Sequence, residues 1–250
     1  TMILLRPDGT ELDRLVGFRA PHEFLADVES ALAGKNALAR AQEAAGGGNP
    51  IARMDLGRTL AQAGRYAEAL EEFLWCFDHG AERDPGYDCV RLSFLMGDLE
   101  RLAHRHPPAA DALRERRDRA ESALKGGDGT PRLADEAARL NEALGEPGRS
   151  LALYDAVPDG PARRTLHREV FELLVSDGRF ADAASGAETM LARLERLLKR
   201  REEETEPEGR AALGRIVAEE GELLRKALAG AGRPTEADQL AQRLRTALSG

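Results

Sequence analysis

Residues 54–77 read MDLGRTLAQAGRYAEALEEFLWCF. Apolar residues return at helical intervals on both sides of Gly64, so the stretch is two helices joined by a tight turn. Gly64 lets the chain turn in a left-handed conformation. Gly57 and Ala69 are small, which allows the paired helices to approach. Tyr66 and Phe73 fill the space between this pair and the next. Cys76 faces the same interface, and free cysteine is among the most buried residue types.

The same grammar recurs downstream. Gly178-Arg179-Phe180 is followed by Ala183, Ala187 and Met190. Gly232-Arg233-Pro234 is followed by Ala237, Ala241 and Leu244. These offsets match those of Ala69, Phe73 and Cys76 from Gly64. Gly148-Arg149, with Leu151 and Leu153, is a weaker copy. Leu56-Gly57, Leu60, Gly64, Tyr66, Ala69, Phe73 and Cys76 fall at the spacing of the tetratricopeptide repeat, which residues 51–81 resemble. Residues 168–190 and 221–248 resemble it more loosely. The glycines depart from the ~34-residue period of an ideal array, so the repeats are divergent. The helices at 107–125 and 191–204 are insertions between them.

The resemblance implies a mainly α fold, a right-handed α-α superhelix over residues 51–250. Such arrays leave a concave groove that binds proteins or peptides. The residues it marks define the repeat rather than perform chemistry: Gly57, Gly64, Tyr66, Ala69, Phe73, Gly178, Ala183, Gly232 and Ala237.

The opening stretch has a different character. Met2–Leu5 is apolar on both strand faces, which predicts a strand buried on both sides. Pro7-Asp8-Gly9 is a turn, because Pro presets φ and Gly tolerates positive φ. Glu11–Val16 then pairs back as the second strand of a hairpin. Pro21 opens a helix, where its missing N–H costs nothing, and Phe24, Leu25, Val28 and Leu32 form its apolar stripe. A hairpin with this turn, then Val16-Gly17-Phe18, then an amphipathic helix resembles the C-terminal third of a thioredoxin fold. The resemblance covers residues 1–33. It implies that Thr1 stands beside the family's substrate site, next to where a cis-proline would be. It also implies that a reactive CxxC half would lie upstream, so the chain is expected to be truncated. Residues 1–34 are therefore assigned to a thioredoxin-like remnant, 35–50 to a helix and a Gly-rich linker, and 51–250 to the repeat domain.

The remaining features narrow the function. The chain has 250 residues, 42% of them apolar and 4% aromatic, with 44 acidic and 36 basic side chains. A formal charge of −8 argues against a nucleic-acid binder, which needs a basic footprint. No stretch approaches the ~20 apolar residues of a membrane span, and a cytoplasmic location is expected. Cys76 and Cys89 form no CxxC. His104 and His106 diverge on a helix, and His22, His79 and His167 are isolated, so no metal site is expected. Arg114, Arg116, Arg117 and Arg119 are interleaved with acids and predict a solvated face with i,i+4 pairs. No catalytic constellation and no cofactor site is visible. The expected function is a non-catalytic interaction or scaffold module for a protein or peptide partner. The alternative is the client-binding portion of a thiol–disulfide oxidoreductase or co-chaperone.

Overall fold

The computed structural model describes every residue except Val16, Gly17, Arg19 and Gly250. Among the described residues the protein is mainly helical, with one two-stranded antiparallel sheet. It divides into two compact units, Thr1–Glu115 and Arg116–Gly250.

The first unit begins with strands β1 (Met2–Leu5) and β2 (Glu11–Leu15). Met2 lies opposite Leu15 and Leu5 opposite Glu11, with an irregularity between Leu4 and Leu5. Gly9 carries the turn at φ +84°, and the Asp8 carboxylate accepts from the Thr10 N–H and hydroxyl. The expected two-sided burial of β1 is not found. Met2, Ile3 and Leu5 are exposed, because among the described residues β1 pairs with β2 alone. The Val16-Gly17 part of the motif lies outside the described residues. Helix α1 (Pro21–Leu32) packs on β2 through a different stripe from the one expected. Ala31 is buried and Phe24 and Val28 are half-buried, whereas Leu25 and Leu32 are exposed.

Asp13 ties this module together. Its buried carboxylate accepts from the Ala37 N–H at 2.8 Å and from Arg40 Nη2 at 2.9 Å. That anchors the start of α2 (Ala37–Ala45) to β2. The Gly-rich stretch connects α2 to the next helix, which begins at Pro50. Asn49 caps α3 (Pro50–Gln62) by accepting from the N–H groups of Ile51 and Ala52, and Pro50 sits at the first helical position.

Helices α3 and α4 (Tyr66–Arg83) pair closely. The chain then continues as α5 (Tyr87–Val90), a wide π turn at Arg91–Leu95, α6 (Met96–Ala103) and α7 (Pro107–Lys125), which the unit boundary divides after Glu115. Phe73, Tyr87, Leu95 and Leu99 form the centre of the first core. Two glycines are notches for aromatic rings. A Cβ on Gly57 would lie 2.5 Å from the Phe73 ring, and one on Gly80 would lie 2.4 Å from Tyr87.

The second unit follows as α8 (Pro131–Ala143), α9 (Pro147–Ala156), α10 (Pro161–Glu169), α11 (Phe171–Ser176), α12 (Phe180–Ser185), α13 (Ala187–Glu203), α14 (Pro207–Gly230) and α15 (Pro234–Leu248). They share one apolar core in which Leu124, Leu153, Leu166, Leu174 and Leu224 are buried. The arginine run contributes to this unit in a way the sequence did not suggest. Arg117 is buried and reaches Glu146 at 2.6 Å, so it bridges two helices instead of lining a solvated face.

One turn is built three times. Gly64, Gly178 and Gly232 have φ values of +77°, +71° and +77°. In each case the next residue donates its N–H back to a leucine carbonyl: Arg65 to Leu60, Arg179 to Leu174, Arg233 to Leu228. The same arginine then pairs with an acid three residues on, Glu68, Asp182 or Glu236. The residue after the acid, Ala69, Ala183 or Ala237, is buried. A fourth turn of this kind lies at Gly145, φ +72°, not at Gly148. Pro147 opens α9 and places Gly148 inside its first turn. Replacing Gly64, Gly178 or Gly232 with alanine is expected to cost about 1 kcal/mol each, since a Cβ is disfavoured at positive φ. None of the three sites has a steric neighbour closer than 4.0 Å, so urea unfolding of the three variants should give nearly equal losses.

Candidate functional site

The residues singled out by sequence sit in three places. Gly57, Ala69 and Phe73 are packed at the α3–α4 contact, with Tyr66 half-buried at its edge and Gly64 in the turn. Gly178, Ala183, Gly232 and Ala237 form the two equivalent turns of the second unit. Thr1 is exposed at the start of the hairpin.

Beside the first turn, Tyr66 and Phe73 line an open cavity of about 370 Å³. Helix α3 contributes Arg58, Ala61 and Gln62. Helix α6 and the residues after it contribute Asp98, Arg101, Leu102, His104 and Arg105. The floor is apolar and the rim is basic. Asp98 is buried between two guanidinium groups, accepting from Arg58 Nε at 2.7 Å and from Arg101. Arg58 also reaches Asp55 at 3.0 Å. Burial works against the Arg58 charge, but Asp98 and Asp55 hold it protonated. Arg105 makes no ion pair among the described residues. Arg58 and Arg101 hold the buried Asp98, Arg58 is also paired with Asp55, and Arg105 stands on the same lining. The surplus positive charge beside an apolar floor suits a ligand with a carboxylate and an apolar body.

Reactive chemistry is scarce elsewhere. Cys76 is buried with its Sγ 3.4 Å from the Pro50 carbonyl, and burial pushes its thiol up to about 11. It is therefore a packing residue at neutral pH. Cys89 is exposed. Among the described residues no three His, Cys, Asp or Glu side chains converge as metal ligands. Among the same residues no helix is long and apolar enough to cross a membrane.

Sequence reasoning did not identify Arg58, Asp98, Arg101 or Arg105. The i,i+3 pairs Asp55/Arg58 and Asp98/Arg101 are visible in the sequence. The contact that makes them one site, Arg58 to Asp98, spans forty residues. No protein-family model matches this sequence, and comparisons with curated proteins and with solved structures return no significant match.

Proposed function

We propose that this protein is an interaction module built from tetratricopeptide-like helix pairs, and that its first unit binds an acidic segment of a partner protein. The observation that carries this is the cavity beside Tyr66, where Arg58, Arg101 and Arg105 surround an apolar floor and the single buried carboxylate. The three equivalent glycine turns support it, since helix pairs of this kind commonly serve as binding scaffolds.

The test is selection from a phage-displayed random peptide library on the whole chain. Peptides carrying Asp or Glu beside an apolar residue are expected to be enriched, with binding that weakens as salt rises. Arg101 and Arg105 are exposed, and a glutamine at 101 still offers a donor to the buried Asp98, so the double variant Arg101→Gln/Arg105→Glu should fold. It should bind the selected peptides at least about tenfold more weakly, since each arginine supplies a charge-assisted contact. Failure to enrich acidic peptides, or unchanged affinity in the double variant, would remove this function.

A further inference from the structure

The second unit departs from its own repeat at one point. After Gly64 and Gly232 the second helix runs unbroken, as α4 and α15, but after Gly178 it breaks at Gly186. The Gly186 N–H bonds the Ala183 carbonyl at 3.3 Å instead of reaching four residues back. The Asp182 carbonyl is thereby left without its helical donor. His167 Nε2 takes it, at 3.0 Å, together with the Ser185 hydroxyl. A carbonyl only accepts, so Nε2 carries the proton.

His167 is 7% exposed and its ring is packed among aromatic and backbone neighbours. Tyr154 and Phe171 lie 5.8 and 5.9 Å away, centroid to centroid. A Cβ on Gly186 would come within 2.5 Å of Nδ1 and 2.2 Å of Cε1, so the ring occupies space that only a glycine leaves open. Its Nδ1 has no hydrogen-bond partner among the described residues. The ring lines a cavity of about 350 Å³.

Two helix starts meet at that cavity. Gly160 precedes α10 and Gly186 precedes α13, and neither offers a side chain to cap the first N–H groups. The α10 start therefore carries partial positive charge, whereas α13 follows α12 across Gly186 alone. The first turn of α10 also carries Arg163 and Arg164, with no acid among its residues. Cations at a helix start are unfavourable unless an anion accompanies them. Arg163 stacks over Tyr154 at 4.5 Å and donates to the Val157 carbonyl, so its position is fixed. Arg164 is exposed and makes no ion pair among the described residues. Two carboxylates share the lining. Asp159 is almost fully exposed and 3.6 Å from Arg163, and Glu188 is exposed on the first turn of α13. The Asp182 carboxylate is turned to Arg179.

We infer that this cavity binds a phosphoryl group, with Arg163, Arg164 and the start of α10 as its donors and His167 Nδ1 at its base. The anion reaches the ring at Nδ1, the nitrogen that makes no hydrogen bond among the described residues. This site is independent of the peptide cavity in the first unit.

The experiment follows the histidine Cε1–H resonances of the intact chain during titration with inorganic phosphate and, separately, free phosphoserine. The His167 signal is the one missing from His167→Gln. Should that variant not fold, it is the one remaining when His22, His79, His104 and His106 are replaced. A saturable shift of His167 is expected. Arg164→Ala should weaken binding about tenfold for one lost charge-assisted contact while its spectrum remains that of a folded chain. Tighter binding of phosphoserine would mark a phosphorylated side chain as the source, and equal binding a free phosphate. No saturable shift with either probe would overturn the inference. So would an equal shift with chloride at matched ionic strength, or unchanged phosphate affinity in Arg164→Ala.

Discussion

Phe73→Ala is expected to destabilise the first unit by about 3–5 kcal/mol, the usual cost of emptying an aromatic site in a packed core. Phe73 is 1% exposed and its ring lies against Gly57. The void would open beneath the Tyr66 cavity, whose lining includes Phe73. The reciprocal change is also unfavourable. Gly57→Ala places a methyl 2.5 Å from the ring, an overpacking that costs about 1–3 kcal/mol. The better helix propensity of alanine offsets about 1 kcal/mol of this. Because the two positions occupy one volume, the pair should not be additive. In a cycle with Phe73→Leu, the double variant is expected to lose less than the sum of the singles by about 1 kcal/mol. Urea denaturation of the four proteins measures it, and strict additivity would mean that the ring and the glycine do not share that space.

The second large effect belongs to Glu121. Its carboxylate is buried and accepts from Arg149 Nε at 2.8 Å and Lys125 Nζ at 3.2 Å, with the amide of buried Asn141 at 3.5 Å. Asn141 also donates to Ser150 at 3.2 Å. Burial tends to raise the Glu121 pKa, but Arg149 and Lys125 outweigh it and hold the carboxyl below its usual range. Glu121→Ala should cost about 2–3 kcal/mol. The figure stays below that for a fully buried ion pair because Arg149 and Lys125 are about half exposed and regain water. A depressed carboxyl stabilises the fold above its ordinary value of 4.5, and this contribution is lost as pH falls through the lower folded value. The second unit should therefore weaken on acidification, and Glu121→Gln should flatten that part of the stability profile. An unchanged acid profile in Glu121→Gln would assign the effect to other carboxylates.

The helical character of the chain was legible because it rests on short-range causes. Gly64, Gly178 and Gly232 stand where a residue at positive φ is needed, and each is followed at the same offset by a small residue that becomes buried. Pro21 opens a helix because its own ring sets φ. The Gly145 turn was misplaced by three residues because two glycines compete there, and Pro147 decides between them. The apolar stripe of α1 was misjudged because helical spacing permits several faces. Contact with β2 selected Phe24, Val28 and Ala31 over Leu25 and Leu32.

The candidate sites were illegible for a related reason. His167 looks isolated in sequence, since its partners Asp182 and Gly186 lie fifteen and nineteen residues away on a different helix. Arg58 and Asp98 are forty residues apart. Sequence alone determined the turns at Gly64, Gly178 and Gly232 and the helix start at Pro21, because those choices depend on backbone preferences within a few residues. Tertiary structure decided which charges meet, which glycine makes room for a ring and which strand face stays open. Those outcomes depend on packing between distant segments, where a shift of one residue or one helix face changes every contact.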